Sequence, residues 1–475
     1  MKSIFIEELT PYTSVFIKNQ LKINDSTLND IIDFLKKFNV LKIVKHNKYN
    51  KNDDYLSSDL GTVDVLDDRN NYFVFTYVGV FIYKNYIFYC FPKYTNGNYE
   101  ISDLKLIIQV LQKYNRTEQS FNIVEINDSV NNVNPLALHL HILDDYILHG
   151  KYVNYKEKYE FNGSGEINWN KTINNTTMFL SNNKPYYPNY ITKKRYFDEN
   201  NYFKKLHETI ITIITFELKN LNLLELFSID QIILSDLSLS DFGSKEFILY
   251  KIRLELSNQF NTRNRHILEL MYAFISNNYS DNRESKFSFF GTNSFHVIWE
   301  KVCSTVLKNE INLKIKDLNI EINIPDNELT LNDLIESPRW KINNTFLKAE
   351  GKLVPDIIIT ENLDKLNYFI IADAKYYKPK ISNTTILHQP GVGDVTKQFL
   401  YELSFKGFLT EDVRVINCFL LPTLDKNINN VGTVELNVFK NLNLSDVQIY
   451  YLPVKRMYNL YINDILLDRQ DIFKL

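Results

Sequence analysis

Near its C-terminal end the chain carries a strand-like apolar run, Tyr368-Phe-Ile-Ile-Ala-Asp-Ala-Lys-Tyr-Tyr377, broken by two charges, Asp373 and Lys375. Charges in a buried β run cost several kcal/mol unless they are paired or ligate a cation. A second apolar strand, Leu353-Val-Pro-Asp-Ile-Ile-Ile-Thr360, precedes it across the polar link Glu361 to Asn367. Paired positions of an antiparallel hairpin sum to a constant, so a turn centred at 364–365 sets Asp356 against residue 372 or 373. Its carboxylate then falls beside that of Asp373, with the backbones about 5 Å apart. Because strand side chains alternate, Asp373 and Lys375 share a face while Ala374 points into the core.

Two carboxylates and an ammonium on one hairpin suit phosphodiester hydrolysis. Pro355-Asp356 with Asp373-Ala374-Lys375 has the PD-(D/E)XK form, in which paired carboxylates and the Ala374 carbonyl hold Mg²⁺ (Mn²⁺ substituting), and the cation offsets charge developing on phosphate oxygens. Lys375 is expected to orient or deprotonate the attacking water and to stabilise the transition state. Context selects this triplet. Others of the same pattern open a helix (Asp103-Lys105), lie in a polar break (Glu284-Lys286) or lead into a strand (Glu350-Lys352). The alternative is a solvated sheet edge carrying an ordinary Asp–Lys pair.

Flanking segments offer further candidates. Ser294 to Leu307 reads as a helix with Phe295, Ile298, Val302 and Val306 inward. Glu300 on it is a candidate third acid and metal ligand, against an exposed carboxylate beside Lys301; His296 reads as a packing residue. Asp394 to Phe405 is another amphipathic helix, with Asp394 as its cap. Gln398 and Glu402, one turn apart, either face the site or form a polar face, and Gln398 is taken as a candidate catalytic residue. Lys375-Tyr-Tyr-Lys-Pro-Lys380 interleaves cations and aromatics as backbone-tracking surfaces do. Lys378 and Lys380 are therefore candidate DNA contacts, and Lys397 on the helix that follows is a third candidate.

The remainder divides by pattern. Ser26-Thr27 caps an amphipathic helix with Leu28, Ile31, Ile32, Phe34 and Leu35, and Val40 to Lys45 is a strand. This is a winged-helix piece or, the favoured reading, the edge of an α+β core. Residues 46–71 read as an exposed loop, Tyr72 to Tyr94 as a buried hairpin turning at Lys84-Asn85, and Ser102 to Tyr114 as a helix. A polar connection spans 162–200. Helical spacing follows at Asp198–Leu218, Glu246–Phe260 and Asn264–Asn277, and a polar break at Asn277–Ser288 marks the last boundary. The expected architecture is multidomain α+β: a mixed N-terminal α+β domain (1–160), a mainly helical middle section (161–285) and a C-terminal α/β nuclease domain (286–475).

Composition excludes several classes. With 54 basic and 57 acidic residues the net charge is −3, so no global field draws the chain to nucleic acid, and any DNA contact must be a local groove or a partner's. The fractions of hydrophobic (44%) and charged (23%) residues are those of a globular protein. Cys90, Cys303 and Cys418 are far apart in apolar runs, as expected of buried thiols in a reducing cytosol. Without a signal peptide or an apolar run of membrane length, a cytoplasmic protein with no membrane partner is expected. Gly391 to Lys397 lacks the spacing of a phosphate loop, so nucleotide energy is expected from another chain.

The sequence resembles the LlaJI family of restriction endonucleases and, more distantly, the McrC nuclease subunit of modified-cytosine restriction systems. The resemblance rests on Tyr77-Val-Gly-Val-Phe81 with Phe91-Pro-Lys-Tyr94, on Gly165-Glu-Ile-Asn-Trp-Asn-Lys-Thr-Ile173, and on Tyr196-Phe-Asp-Glu-Asn-Asn-Tyr202. It continues in Phe290-Gly-Thr-Asn-Ser-Phe-His-Val-Ile-Trp-Glu300 and in the hairpin with Lys397-Gln398. It implies a C-terminal PD-(D/E)XK nuclease with Asp356, Asp373 and Lys375 at its signature, and Glu300 and Gln398 matching by position on flanking helices. It further implies double-stranded DNA as substrate and a separate McrB-like AAA+ GTPase contacted by the N-terminal region. A cognate DNA methyltransferase would belong to such a system. The competing readings are a stand-alone repair or transposition nuclease and a non-catalytic adaptor of a motor ring; three costly charges on buried strands argue against the adaptor.

Overall fold

A computed structural model describes residues 1–45, 71–117, 134–278, 287–343, 345–363, 365–381 and 384–473. The expected loop at 46–71 and the triplet at Glu284-Lys286 lie almost wholly and wholly outside these residues. The chain divides into two compact units, one of residues 1–121, 226–228 and 289–475, the other of 122–225 and 229–288. Residues 1–121 of the expected N-terminal domain thus share a unit with 289–475 of the expected C-terminal domain, while 122–160 belong to the other.

In the first unit, Asn24 caps the helix Asp25–Lys37 by accepting from the Thr27 amide, two residues before the expected cap. Its Leu28, Ile31, Ile32 and Leu35 are buried, as the helical period requires. The aromatic run forms Asn71–Phe75, Val78–Tyr83 and Tyr86–Phe91, and Lys84 makes the tight turn between the last two with φ 52°. A four-stranded sheet follows the order Lys2–Glu7, Tyr86–Phe91, Val78–Tyr83, Phe287–Thr292. The last strand lies within the segment expected as the nuclease domain, yet it pairs at the edge of the N-terminal sheet. Two glycines allow this. A Cβ on Gly79 (φ +139°) would lie 2.2 Å from the Phe290 carbonyl oxygen, and one on Gly291 would lie 2.2 Å from that of Val78.

The C-terminal part is built on a mixed five-stranded sheet ordered Ile357–Leu363, Leu366–Ala374, Val413–Thr423, Val447–Pro453, Asn429–Val434. The outer pairs are antiparallel and the inner two parallel. Inner strands buried on both faces need continuous apolar runs, which Ile370-Ile371-Ala372 and Cys418-Phe-Leu-Leu421 supply. The helix Val392–Lys406 covers one face. Its Tyr401 and Phe405 join Ile358, Phe369 and Ile371, and its Val395 and Phe399 join Phe419 and Val447. All three cysteines are free and buried.

The second unit corrects the sequence reading of 162–200 as a connection. Tyr155–Phe161 pairs antiparallel with Ile191–Phe197, which also pairs with Glu166–Ile167, and Phe179–Ser181 pairs with Lys184–Tyr186. These strands are largely exposed, so no apolar alternation announces them. Helices Tyr202–Asn220, Lys245–Asn258 and Thr262–Asn278 follow as the spacing predicts. Among the described residues no helix is long and apolar enough to cross a membrane.

Candidate active site

The hairpin register is the one the sequence arithmetic allows. Ile357 opposes Ala372 and Leu363 opposes Leu366, so one step further back Asp356 stands opposite Asp373. Regular strand begins only at Ile357, because the preceding Pro355 has no amide to give a ladder. Asn309 holds Asp356 instead: its side-chain amide donates to the Asp356 carbonyl (2.7 Å) and its Oδ1 accepts the Ile358 amide (2.9 Å). The Asp356 carboxylate accepts the Ala374 amide at 3.1 Å. Residues 369, 371 and 373 share a face by strand alternation, so Asp373 lies under the helix that covers Phe369 and Ile371.

Asp373 is 1% exposed. Lys375 Nζ stands 3.0 Å from its Oδ2 and 3.3 Å from Asp394. The sequence predicts Asp394 as a helix cap, but Gly391 occupies the cap position and the Asp394 side chain turns to Lys375 and to the Tyr377 hydroxyl (3.4 Å). A first-turn acid has two uses, and only the approach of the strand end chooses between them.

The electrostatics follow from this crowding. Burial raises the Asp356 carboxyl well above the ordinary carboxylate range, and the adjoining Asp373 and Glu300 raise it further against the pull of Lys375. Burial works to lower the Lys375 pKa, but Asp373 and Asp394 outweigh it and push the ammonium's pKa up. These neighbours favour the charged, donating form of Lys375. Glu300, on the helix Phe295–Val306, is raised by burial, lowered by Lys375 and raised by Asp373. Burial lowers His296, as do Lys93 and Lys375. Tyr401 is pushed up to about 12 by burial and by the two aspartates.

Other candidates sit differently. Gln398 is fully buried, and its amide donates to the carbonyls of Ile371 (3.2 Å) and Cys418 (3.1 Å), tying two adjacent strands. Glu402 accepts from Asn417 and from the Ser445 amide. Lys378 is half-buried, with its ammonium 3.3 Å from Glu7 and donating to the Lys93 carbonyl (2.8 Å), so it ties the strand end to the N-terminal segment. Lys397 is exposed. Lys380 begins the short strand Lys380–Ile381, and its side chain lies outside what is described.

A divalent cation fits the aspartate pair. Asp373 Oδ2 is buried beside Lys375 yet accepts no well-formed hydrogen bond, and burial with the adjoining Asp373 makes ionisation of Asp356 costly in the chain alone. Under-satisfied carboxylate oxygens suit a hard cation. Among the described residues no three His, Cys, Asp or Glu side chains form a ready-made cage. The groups that would hold such an ion are Asp356, Asp373 and the Ala374 carbonyl, with Glu300 near enough to feel the charge of the aspartates.

The family profile described as LlaJI restriction endonuclease matches residues 77–455. The chain belongs to that family. It is 27% identical over 431 residues to the type II restriction enzyme BsuMI component YdjA of Bacillus subtilis (strain 168), covering 86% of this chain and 85% of that one. Among solved structures it is similar to the half-complex of Thermococcus gammatolerans McrB AAA+ hexamers with bound McrC. That match has 13% identity, covers 97% of this chain and 99% of the other, and has a TM-score of 0.38. A second structure, the McrBC complex of the same organism, matches at 12% identity over 64% of this chain and 86% of that chain, with a TM-score of 0.27.

Proposed function

We propose that this chain is the cutting subunit of a restriction machine, hydrolysing phosphodiester bonds of double-stranded DNA with Mg²⁺ and depending on an AAA+ GTPase partner. The observation that carries the reading is the pairing of Asp356 with Asp373 on one hairpin, with Lys375 beside them. Asp356, Asp373 and the Ala374 carbonyl would hold the ion, which when bound supplies positive charge to phosphate oxygens and lowers the pKa of water. Lys375 donates to the phosphoryl oxygen or to the attacking water, and its neighbours Asp373 and Asp394 keep it protonated. Asn309 and the Ala374 amide fix Asp356 in place, so the carboxylates need little reorganisation.

Membership of the LlaJI family supports the restriction role, and the Bacillus relative is itself described as one component of a restriction enzyme. Dependence on a GTPase rests on the sequence resemblance. The test incubates the purified chain with duplex DNA and Mg²⁺, with and without the AAA+ protein encoded beside it and GTP, using wild type and Asp373→Ala. Partner-dependent cutting that disappears in Asp373→Ala is expected. Cutting that survives the substitution overturns the site, and cutting indifferent to the partner overturns the subunit role.

A further inference from the structure

Immediately upstream of the catalytic hairpin, Arg339–Ile342 and Thr345–Lys348 form a second, two-stranded hairpin in which every described strand residue is exposed. Its register is Arg339 to Lys348, Trp340 to Leu347, Lys341 to Phe346 and Ile342 to Thr345. Opposed residues share a face and faces alternate along a strand. One face therefore carries Trp340, Ile342, Thr345 and Leu347, the other Arg339, Lys341, Phe346 and Lys348. Lys341 Nζ lies 5.7 Å from the Phe346 ring centre, as that division requires.

Isolated two-stranded hairpins are marginal in water, and this one leaves Trp340 and Phe346 each 64% exposed. Its base is secured: the Ala349 amide donates to the Pro338 carbonyl (2.8 Å), and Lys352 donates to the Asn332 carbonyl (3.0 Å). Leu353 then packs on the core that holds Ile358 and Phe369, and the chain enters the site at Asp356. The hairpin thus stands exposed on an anchored stem that leads along the chain to Asp356.

Charge selects what such a projection meets. The whole chain is net −3, whereas residues 336–352 hold four cations, Arg339, Lys341, Lys348 and Lys352, against two acids, Glu350 and the exposed Glu336 that pairs with Arg339 at 3.2 Å. Cations on one face match a phosphate backbone, and an aromatic-aliphatic face matches sugar edges and base steps. A two-stranded β-ribbon also fits the major groove, about 12 Å wide. We propose that the hairpin 339–348 grips the duplex beside the scissile phosphate, with Arg339, Lys341 and Lys348 on backbone phosphates and the Trp340 face against the groove. This rests on the nuclease reading above.

The experiment measures fluorescence anisotropy of a labelled duplex with the full chain in the Asp373→Ala background, across a salt series. Each phosphate contact contributes about 0.9 to the slope of log affinity against log salt. Replacing Arg339, Lys341 and Lys348 together by Ala is expected to reduce that slope by about 2–3. Trp340→Ala is expected to weaken binding with the slope unchanged. Being exposed, these variants should melt like their parent, which is checked first. An unchanged slope in the triple variant, no salt-dependent duplex binding by the parent, or a change confined to oligomeric state by light scattering overturns the proposal; the last would make the face a contact between copies. Failure of the site itself is read separately, as cutting retained by Asp373→Ala with the hairpin intact.

Discussion

The hydroxyl of Tyr376, the residue after Lys375, donates to Glu8 at 2.7 Å and accepts the Lys93 amide at 3.1 Å. With the neighbouring Lys378–Glu7 ion pair, it binds the exit of the strand that carries Asp373 to the N-terminal segment. Lys93 adds its ammonium 5.0 Å and 5.3 Å from the ring centres of Tyr376 and Tyr377. Tyr376→Phe keeps the ring but removes the donor to a buried carboxylate. It should lower stability by about 1–3 kcal/mol, read as a shift of the denaturant midpoint. Because the same hydroxyl holds the backbone next to Lys375, kcat should fall while KM stays near wild type. A variant with wild-type kcat would show that Lys375 is positioned without this clasp.

The aspartate pair should be a stability defect in the absence of metal. Asp356 has a raised folded pKa, so the folded chain retains a proton that the unfolded chain releases, and metal-free stability should fall as pH rises above the ordinary carboxylate range. Asp356→Asn keeps an acceptor for the Ala374 amide and removes the repulsion. It should melt higher than wild type without Mg²⁺ and lose cutting. Mg²⁺ at a hundred times its dissociation constant should stabilise wild type by about 2.7 kcal/mol and leave Asp356→Asn unchanged. Equal metal stabilisation of both proteins would remove Asp356 from the ligand set.

Gln398 is the test of structure against chemistry. Gln398→Leu strips the shared donor from the Ile371 and Cys418 carbonyls inside the sheet, which should cost about 1–3 kcal/mol in thermal or chemical unfolding. Activity at low temperature should fall less than in Asp373→Ala. Full stability together with complete loss of cutting would instead place Gln398 at the reacting atoms.

His207 gives the second unit a pH dependence of opposite sign. It is 1% exposed, its Nδ1 accepts the Tyr152 amide (3.0 Å), and burial lowers its pKa to about 4. The unfolded chain takes up the proton first as pH drops, so stability should be lost between about pH 6.5 and pH 4, by roughly 3 kcal/mol in full. Differential melting of wild type and His207→Gln across that window checks it: the difference between the two should change with pH below about 6.5 and level off above.

What the sequence determined by itself was local. The pairing of Asp356 with Asp373 followed from the length of one short link and the two-residue period of strands, and the long helices followed from their apolar spacing. Sequence reading failed where the signal was weak or the partner distant. The exposed strands around Tyr155–Phe161 show no alternation because neither face is deeply buried. Strand Phe287–Thr292 joins a sheet whose other members are Lys2–Glu7, Val78–Tyr83 and Tyr86–Phe91, far back in the chain, and only the mutual approach of Gly79 and Gly291 permits it. Separation along the chain likewise hid Asn309 behind Asp356, Asp394 beside Lys375, and Glu7 and Glu8 against Lys378 and Tyr376. The charges of the site could be read from neighbours along the chain; what holds them in place comes from residues that only tertiary packing brings together.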